Sequence, residues 1–343
     1  PRCHLQLLDL QQSGAIGELL TQPSSGADIL VCDMEYVHGL RCQKEIFYPL
    51  PQQLTADTGI SESLSQTFSD DGQYLSIPLS ASAMVLYYNK ALFRDSQKEP
   101  PQPSQPWSWE QLAETAEHFT SEGNYGFQFR PTFGHLSSLM SRQGGELYQT
   151  DGTVAANSSA TFEQTLRFAY KLLHESKISP VLAKVDQINL FAQRRCAMAM
   201  DGFDMFSRYR EQLGDDLGVT ALPGHAHGGS ITGGIAVSAL SGVENTQPIE
   251  DLLRALLNAK TQLVLAKTGA GLPVRSDLLN PSALQEIDIP PEISEIFLTE
   301  ARDFQNANMP ENLEHKLTVE NLFLELWLGL DNIDSICRRF EEC

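Results

Sequence analysis

Apolar positions along the chain follow two periods, and the order in which the periods alternate predicts α/β layers. Residues 4–10, HLQLLDL, alternate apolar and polar side chains as a half-buried strand does. Residues 13–22 predict a short helix, and residues 27–32, ADILVC, a strand covered on both faces. From 41 to 75 the pattern is mixed, with short helices and turns marked by Pro49, Pro51, Gly59 and the Asp-Asp-Gly at 70–72. Val85, Leu86, Tyr87 and Tyr88 then form a β-prone apolar run, which predicts another strand buried on both sides. Ser80, Ala81 and Ser82 enter this run with small side chains, and Asn89 and Lys90 close it. An ordinary core strand with a small-residue entry and a strand that lets a ligand approach its backbone are both compatible with that pattern.

Beyond residue 98 the helical period dominates. The proline-rich KEPPQPSQP at 98–106 predicts a stiff surface loop. Ser108 and Gln111 have the spacing of a capping box, and Leu112, Ala116 and Phe119 recur on one face of the helix it opens. Phe162, Leu166, Ala169, Tyr170 and Leu173 predict an amphipathic helix over 160–175. Pro248 suits the first helical position ahead of Leu252, Leu253, Leu256 and Leu257. Gly269 and Gly271 stop the following helix, and Gly329 separates residues 318–328 from a final helix at 332–341.

Composition narrows the functional classes. A chain of 343 residues has room for two domains or one large α/β unit, and 41% apolar residues supply a core. No apolar stretch reaches the roughly 20 residues of a membrane helix. The formal charge of −20 opposes nucleic acid and anionic ligands, and favours neutral, polyhydroxylated or cationic ones. Six cysteines, Cys3, Cys32, Cys42, Cys196, Cys337 and Cys343, show neither a C-x-x-C pair nor zinc spacing. Scattered thiols of this kind lean toward a reducing compartment.

Signals for catalysis are weak. His225 and His227 could be half of a metal site, but no third ligand stands at a helical spacing, and a surface loop explains them. GAGLPV at 269–274 lacks the third glycine of a dinucleotide loop. No G-x-S-x-G, phosphate loop or H-E-x-x-H occurs. Neither an enzyme, a cofactor nor a metal is expected.

Several stretches together resemble one family. A proline, small polar residues and an apolar run ending Tyr-Asn-Lys-x-Leu-Phe, SIPLSASAMVLYYNKALF at 76–93, is similar to extracellular solute-binding proteins of the maltose-binding-like, sugar-uptake class. ADILVCDMEYVHGL (27–40), PWSWEQLAETAEHFT (106–120), AMAMDGFDMF (197–206), GVTALPG (218–224), TGGIAVSA (232–239) and GAGLPVRSDLL (269–279) resemble further signatures in the family's order. The resemblance implies an α/β fold of two lobes, periplasmic-binding-protein-like of type II, with a ligand cleft between them. Crossings between lobes are then expected near Ala81–Met84, Leu222–Gly224 and Pro273–Arg275. Lobe one takes residues 1–82 and 224–275; lobe two takes 83–223 and 276–343. The family's lobe one starts with a strand and helix ahead of the strand expected at 4–10. This chain has no room for them, so a piece of about 30 residues, one βα unit, is expected to be missing.

The resemblance also points to site residues. Glu35 and Tyr36 follow Asp33 at the end of a strand, where α/β folds place ligands. A carboxylate there can accept hydrogen bonds from sugar hydroxyls and Tyr36 can stack on a ring, although Asp33 fits a plain helix cap equally well. Ser80, Ser82 and Gly233 match cleft-lining positions, and His135, beside Phe133 and Gly134, falls in a loop where the family often carries an aromatic. Asp204 stands where the family usually has a sugar-stacking tryptophan, with Phe206 close by, which implies a smaller or more polar ligand. The implied function is non-catalytic: binding of a carbohydrate by interlobe closure and delivery to a membrane ABC transporter permease. The protein is expected to be a monomer outside the cytoplasm, periplasmic or lipid-anchored. The alternative is a cytoplasmic ligand-sensing domain of a transcriptional regulator with the same fold, which the cysteines and the short start favour.

Overall fold

The computed structural model describes residues 28–40, 44–66, 68–70, 73–102, 106–130, 132–148, 154–155, 159–181, 188–224, 231–243, 245–302 and 312–342. The strand expected at 4–10, the helix at 13–22 and the His225/His227 loop lie outside these residues. Nine strands are present among them: β1 (Ile29–Asp33), β2 (Phe47–Tyr48), β3 (Ser69–Asp70), β4 (Gln73–Tyr74), β5 (Ile77–Asn89), β6 (Tyr125–Gln128), β7 (Cys196–Gly202), β8 (Leu217–Thr220) and β9 (Ile231–Leu240).

Seven of the nine form one sheet, in which β1, β9, β5, β7 and β6 lie side by side while β2 pairs with β9 and β8 with β5. β5 organises the molecule. Its first half pairs antiparallel with β9, from Ile77 opposite Val237 to Ala83 opposite Ile231. Its second half pairs with β7, Met84 opposite Gly202 to Tyr88 opposite Met198, and with β8 from Leu86 to Asn89. The expected run Val85–Tyr88 is thus the later part of a 13-residue strand that changes partners at residues 83–84. Pro78 lies within it, at a register shift between residues 78 and 80. A bulge of this kind is how a proline without an N–H is accommodated inside a sheet.

All 13 residues of β5 are buried, so its two faces serve two cores. Ile77, Leu79, Ala81, Ala83, Val85 and Tyr87 point into one continuous cluster with Phe191, Phe203, Tyr209 and Phe297. Met84, Leu86 and Tyr88 point into a second, with Phe127, Phe133, Phe162, Phe323 and Phe340. A third, smaller cluster of Leu30, Leu40, Ile46, Phe47, Leu75 and Leu240 lies under β1 and β9.

Helices cover these faces much as the pattern predicts. Trp109–Phe119 starts on the capping box, with the Ser108 hydroxyl accepting from the Gln111 amide. Ser159–Tyr170 runs on as a wider turn over Lys171–Glu175. Gln247–Leu256 begins with its proline, and Ala259–Lys267 ends before Gly269 at φ +86°. Leu313–Trp327 and Ile333–Glu341 are separated at Gly329, φ +70°. One expectation is corrected: Phe133, Gly134 and His135 are not in a loop but form the first turn of the helix Phe133–Ser141. Burial of Phe133, Leu136, Leu139 and Met140 at helical spacing accounts for it.

Candidate functional site

The place where β5 changes partners brings several expected residues together. Ser82 pairs with Gly233 across the β5–β9 ladder, and its hydroxyl donates to Asp204 Oδ1 at 2.8 Å. Asp204 follows β7 in a short turn, Phe203–Met205, and its side chain is exposed. Gly202, opposite Met84, makes the approach possible: a Cβ there would stand 2.2 Å from Ser82 Oγ and 2.3 Å from Asp204 Oδ1. At Gly233 a Cβ would meet nothing within 4 Å, so this part of β9 borders open space.

Ser80 takes another role. It is buried, donates to the Ala270 carbonyl at 2.5 Å and accepts from the Ile235 amide at 3.2 Å. With the reciprocal backbone bonds between Ala81 and Leu272, at 3.0 and 2.6 Å, it ties residues 270–272 to the crossing strand. Gly271, φ +129°, permits this approach, since a Cβ would lie 2.8 Å from the Ala81 carbonyl oxygen.

Asp33 ends β1, and Tyr36 lies in the helix Met34–Gly39 that follows it. The surrounding protein raises the Asp33 carboxyl above its ordinary range, the Lys316 ammonium draws it back, and the charge on Asp204 pushes it up. Asp33 therefore lies within electrostatic reach of both Lys316 and Asp204. Lys316 lies with its Nζ 4.6 Å from the Tyr36 ring centroid and 2.6 Å from Glu320 Oε1. Glu35 belongs to the same helix as Tyr36; its side chain lies outside the described residues.

Two expected residues are held in the cores. Phe206 is 4% exposed, stacks with Phe203 at 6.2 Å between centroids and meets Phe297 edge-on at 5.7 Å. His135 is buried, with Nδ1 2.8 Å from Thr132 Oγ1 and Nε2 3.1 Å from the Met200 carbonyl. A carbonyl can only accept, so these partners assign the proton to Nε2 and leave Nδ1 accepting from the threonine. Burial and the Arg130 charge push its pKa down to about 3, so the ring is neutral. Neither side chain is placed to touch a ligand beside Ser82.

Behind Asp204 runs a charged network absent from the expectations. Arg130 forms an ion pair with Asp201, whose other oxygen accepts from the Tyr209 hydroxyl at 2.6 Å. Tyr87 donates to the Gly202 carbonyl at 2.8 Å. Loss of solvent raises the Asp201 carboxyl, against the lowering effect of Arg130 and Tyr209. Lys316 was equally unforeseen, yet it left a signal. It precedes Val319 and Phe323 by three and seven residues, a cation on the apolar face of its helix. Among the described residues no group of three His, Cys, Asp or Glu side chains could hold a metal ion, and no helix is long and apolar enough to cross a membrane.

Comparison with known proteins agrees with this architecture. The family model described as "Bacterial extracellular solute-binding protein" matches residues 6–290. A binding protein of Brucella abortus (strain 2308) is 26% identical over 196 residues, 54% of this chain. The match spans 46% of that relative, so the chain covers about half the length of the protein it resembles. Among solved structures, an ABC transporter solute-binding protein from Thermotoga lettingae TMO, bound with alpha-D-tagatose, superposes with a TM-score of 0.80 at 20% identity, covering 96% of this chain and 88% of that one. An ABC substrate-binding protein from Listeria monocytogenes, in complex with cycloalternan, gives 0.77 at 16% identity, again over 96% and 88%. One from Agrobacterium vitis S4 with bound D-mannitol gives 0.71 at 15%, over 95% and 86%. At such identities the likeness is one of fold: two lobes of mixed α/β structure.

Proposed function

The chain belongs to the bacterial extracellular solute-binding proteins, and on that premise we propose that it closes two lobes on a sugar or polyol and delivers it to a membrane ABC transporter. The observation that carries the reading is the pairing of Ser82 with Asp204, within electrostatic reach of Asp33, where β5 passes from one half of the sheet to the other. Exposed carboxylates accept hydrogen bonds from hydroxyl groups, and an aromatic ring offers a face to the C–H side of a sugar. The tagatose, cycloalternan and mannitol bound by proteins of like fold point to the same ligand class. Asp204 and the burial of Phe206 favour a small, polar ligand over a long oligosaccharide.

In this reading lobe one comprises residues 1–82 and 224–275 and lobe two residues 83–223 and 276–343. Binding favours the closed form only as far as the ligand contacts both lobes better there. The protein works outside the cytoplasm, as a periplasmic or lipid-anchored monomer, and without catalysis. A thermal-shift screen over monosaccharides, oligosaccharides, polyols and amino acids, followed by titration calorimetry, tests the ligand class. Sugars or polyols are expected to raise the melting temperature. Stabilisation by amino acids alone refutes the carbohydrate reading, and turnover of a sugar derivative, abolished by one carboxylate substitution, overturns the non-catalytic one. Tyr36→Ala is expected to weaken binding by about 1–3 kcal/mol, the scale of a lost aromatic contact.

A further inference from the structure

Lys316 and Arg142 are buried cations of this acidic chain, and Arg142 is paired with the buried Glu300. The side chain of Lys316 is 2% exposed, on a helix whose Val319, Leu322, Phe323 and Leu326 fill the second core. Burying an ammonium is costly unless its charge is matched. Glu320, one turn on, supplies the match from the same helix, with Nζ and Oε1 2.6 Å apart. That pair alone would hold equally well with the lysine turned away from the rest of the molecule. Instead Nζ sits 4.6 Å from the centroid of the Tyr36 ring, and its charge acts on the carboxyl of Asp33. Tyr36 packs on the third core, beneath β1 and β9. The contact therefore lies between two bodies: the helix Leu313–Trp327, packed on the second core, and the helix Met34–Gly39, whose Tyr36 packs on the third.

We propose that Lys316 is a latch between the lobes, holding them together without ligand by seating its ammonium on the face of Tyr36. A cation over an aromatic face gains most where water is excluded, and Lys316 is buried there. Because the contact exists only while the two helices meet, it stabilises the approached arrangement of the lobes relative to the separated one. The division into lobes comes from the reading above; the latch itself needs no solute.

Small-angle X-ray scattering of the protein with no solute added tests it. Lys316→Met keeps the apolar stem and removes the charge, and is expected to raise the radius of gyration toward that of separated lobes. Lys316→Arg, which restores a cation able to lie on the ring, is expected to return the curve to that of the parent. Tyr36→Leu, on the opposite helix, is expected to reproduce Lys316→Met, and carries the test if Lys316→Met does not fold by circular dichroism. Superposable curves for the parent and a folded Lys316→Met or Tyr36→Leu overturn the latch. So does a parent whose curve already fits separated lobes. Since no solute is present, a failed latch leaves the sugar reading standing, and a failed sugar screen leaves the latch standing.

Discussion

Asp201 and Asp204 are three residues apart and have opposite surroundings. Asp201 is fully buried, its two oxygens taken by Arg130 and the Tyr209 hydroxyl. Asp204 is exposed and its side chain has one hydrogen-bond partner among the described residues, Ser82. The short turn Phe203–Met205 separates them, with Phe203 and Met205 anchored in the core and Asp204 between them pointing out. A buried carboxylate must be matched by the protein at the cost of desolvation. An exposed one retains capacity for a partner from outside. The first aspartate is built to hold the turn, and the second to be held out by it.

Removing the partner of the buried carboxylate should produce the largest effect. Arg130→Met leaves Asp201 with the tyrosine hydroxyl and no cation, and is expected to cost about 3–5 kcal/mol of stability, measured by urea unfolding. A loss below 1 kcal/mol would show that Asp201 takes up a proton at little cost and that the pair is not structural. The exposed carboxylate predicts the reverse pattern. Asp204→Ala should lower affinity for the sugar or polyol found in the screen by about 1.5–3 kcal/mol, the worth of hydrogen bonds to a charged group. Its unfolding midpoint should stay close to that of the parent. Unchanged calorimetric affinity in a folded Asp204→Ala protein removes Asp204 from the site.

The neutral histidine beside Asp201 adds a pH dependence. The folded protein holds His135 neutral to about pH 3, whereas an unfolded chain protonates it below the ordinary value of 6.5. Between those values the unfolded state binds more protons, so stability rises with pH. The contribution of His135 is therefore complete above pH 6.5 and declines as pH falls toward 3, at about 1.4 kcal/mol per pH unit. Between pH 7 and pH 5 this amounts to roughly 2 kcal/mol. His135→Gln should remove that slope while Asp201, which titrates in both proteins, leaves its own. Parallel stability curves for the two proteins would mean that His135 is protonated in the native state.

Much of this division was legible in the sequence. The partner-switching strand was marked by Ser80–Ser82 running into Val85–Tyr88, because small side chains and then bulky ones suit a crossing and then a packed sheet. Capping boxes and glycine stops are local, so the helices opened by Ser108 and closed ahead of Gly269 and Gly329 were legible, whereas Phe133–Ser141, which lacks a side-chain cap, read as a loop. Asp204 entered the candidate site through the family register, and the structure leaves its side chain exposed. Phe206 was drawn to the site by the same register, although Phe203, Phe206, Tyr209 and Leu213 share a helical face that the core then buries. The networks around Arg130 and Lys316 join residues distant in sequence, 71 apart for Arg130 and Asp201. Periodicity is blind to partners brought together by the sheet.

The smallest and sharpest test separates Ser82 from Ser80, two residues apart on β5. Ser82→Ala removes a donor to an exposed carboxylate, which water can replace at once, so stability should change by no more than about 0.5 kcal/mol. Affinity should fall by about 0.5–1.5 kcal/mol, the net worth of one hydrogen bond, because Asp204 is no longer oriented. Ser80→Ala removes a buried hydroxyl that joins the Ala270 carbonyl to the Ile235 amide. Two half-buried backbone groups then lose this partner, and the expected loss is in stability, about 1–2 kcal/mol. Melting temperature and calorimetric affinity measured on both variants give a two-by-two outcome. If Ser82→Ala were the one that destabilised, and Ser80→Ala the one that bound more weakly, the open side of the crossing would be the Ser80 side and the site would have to move there.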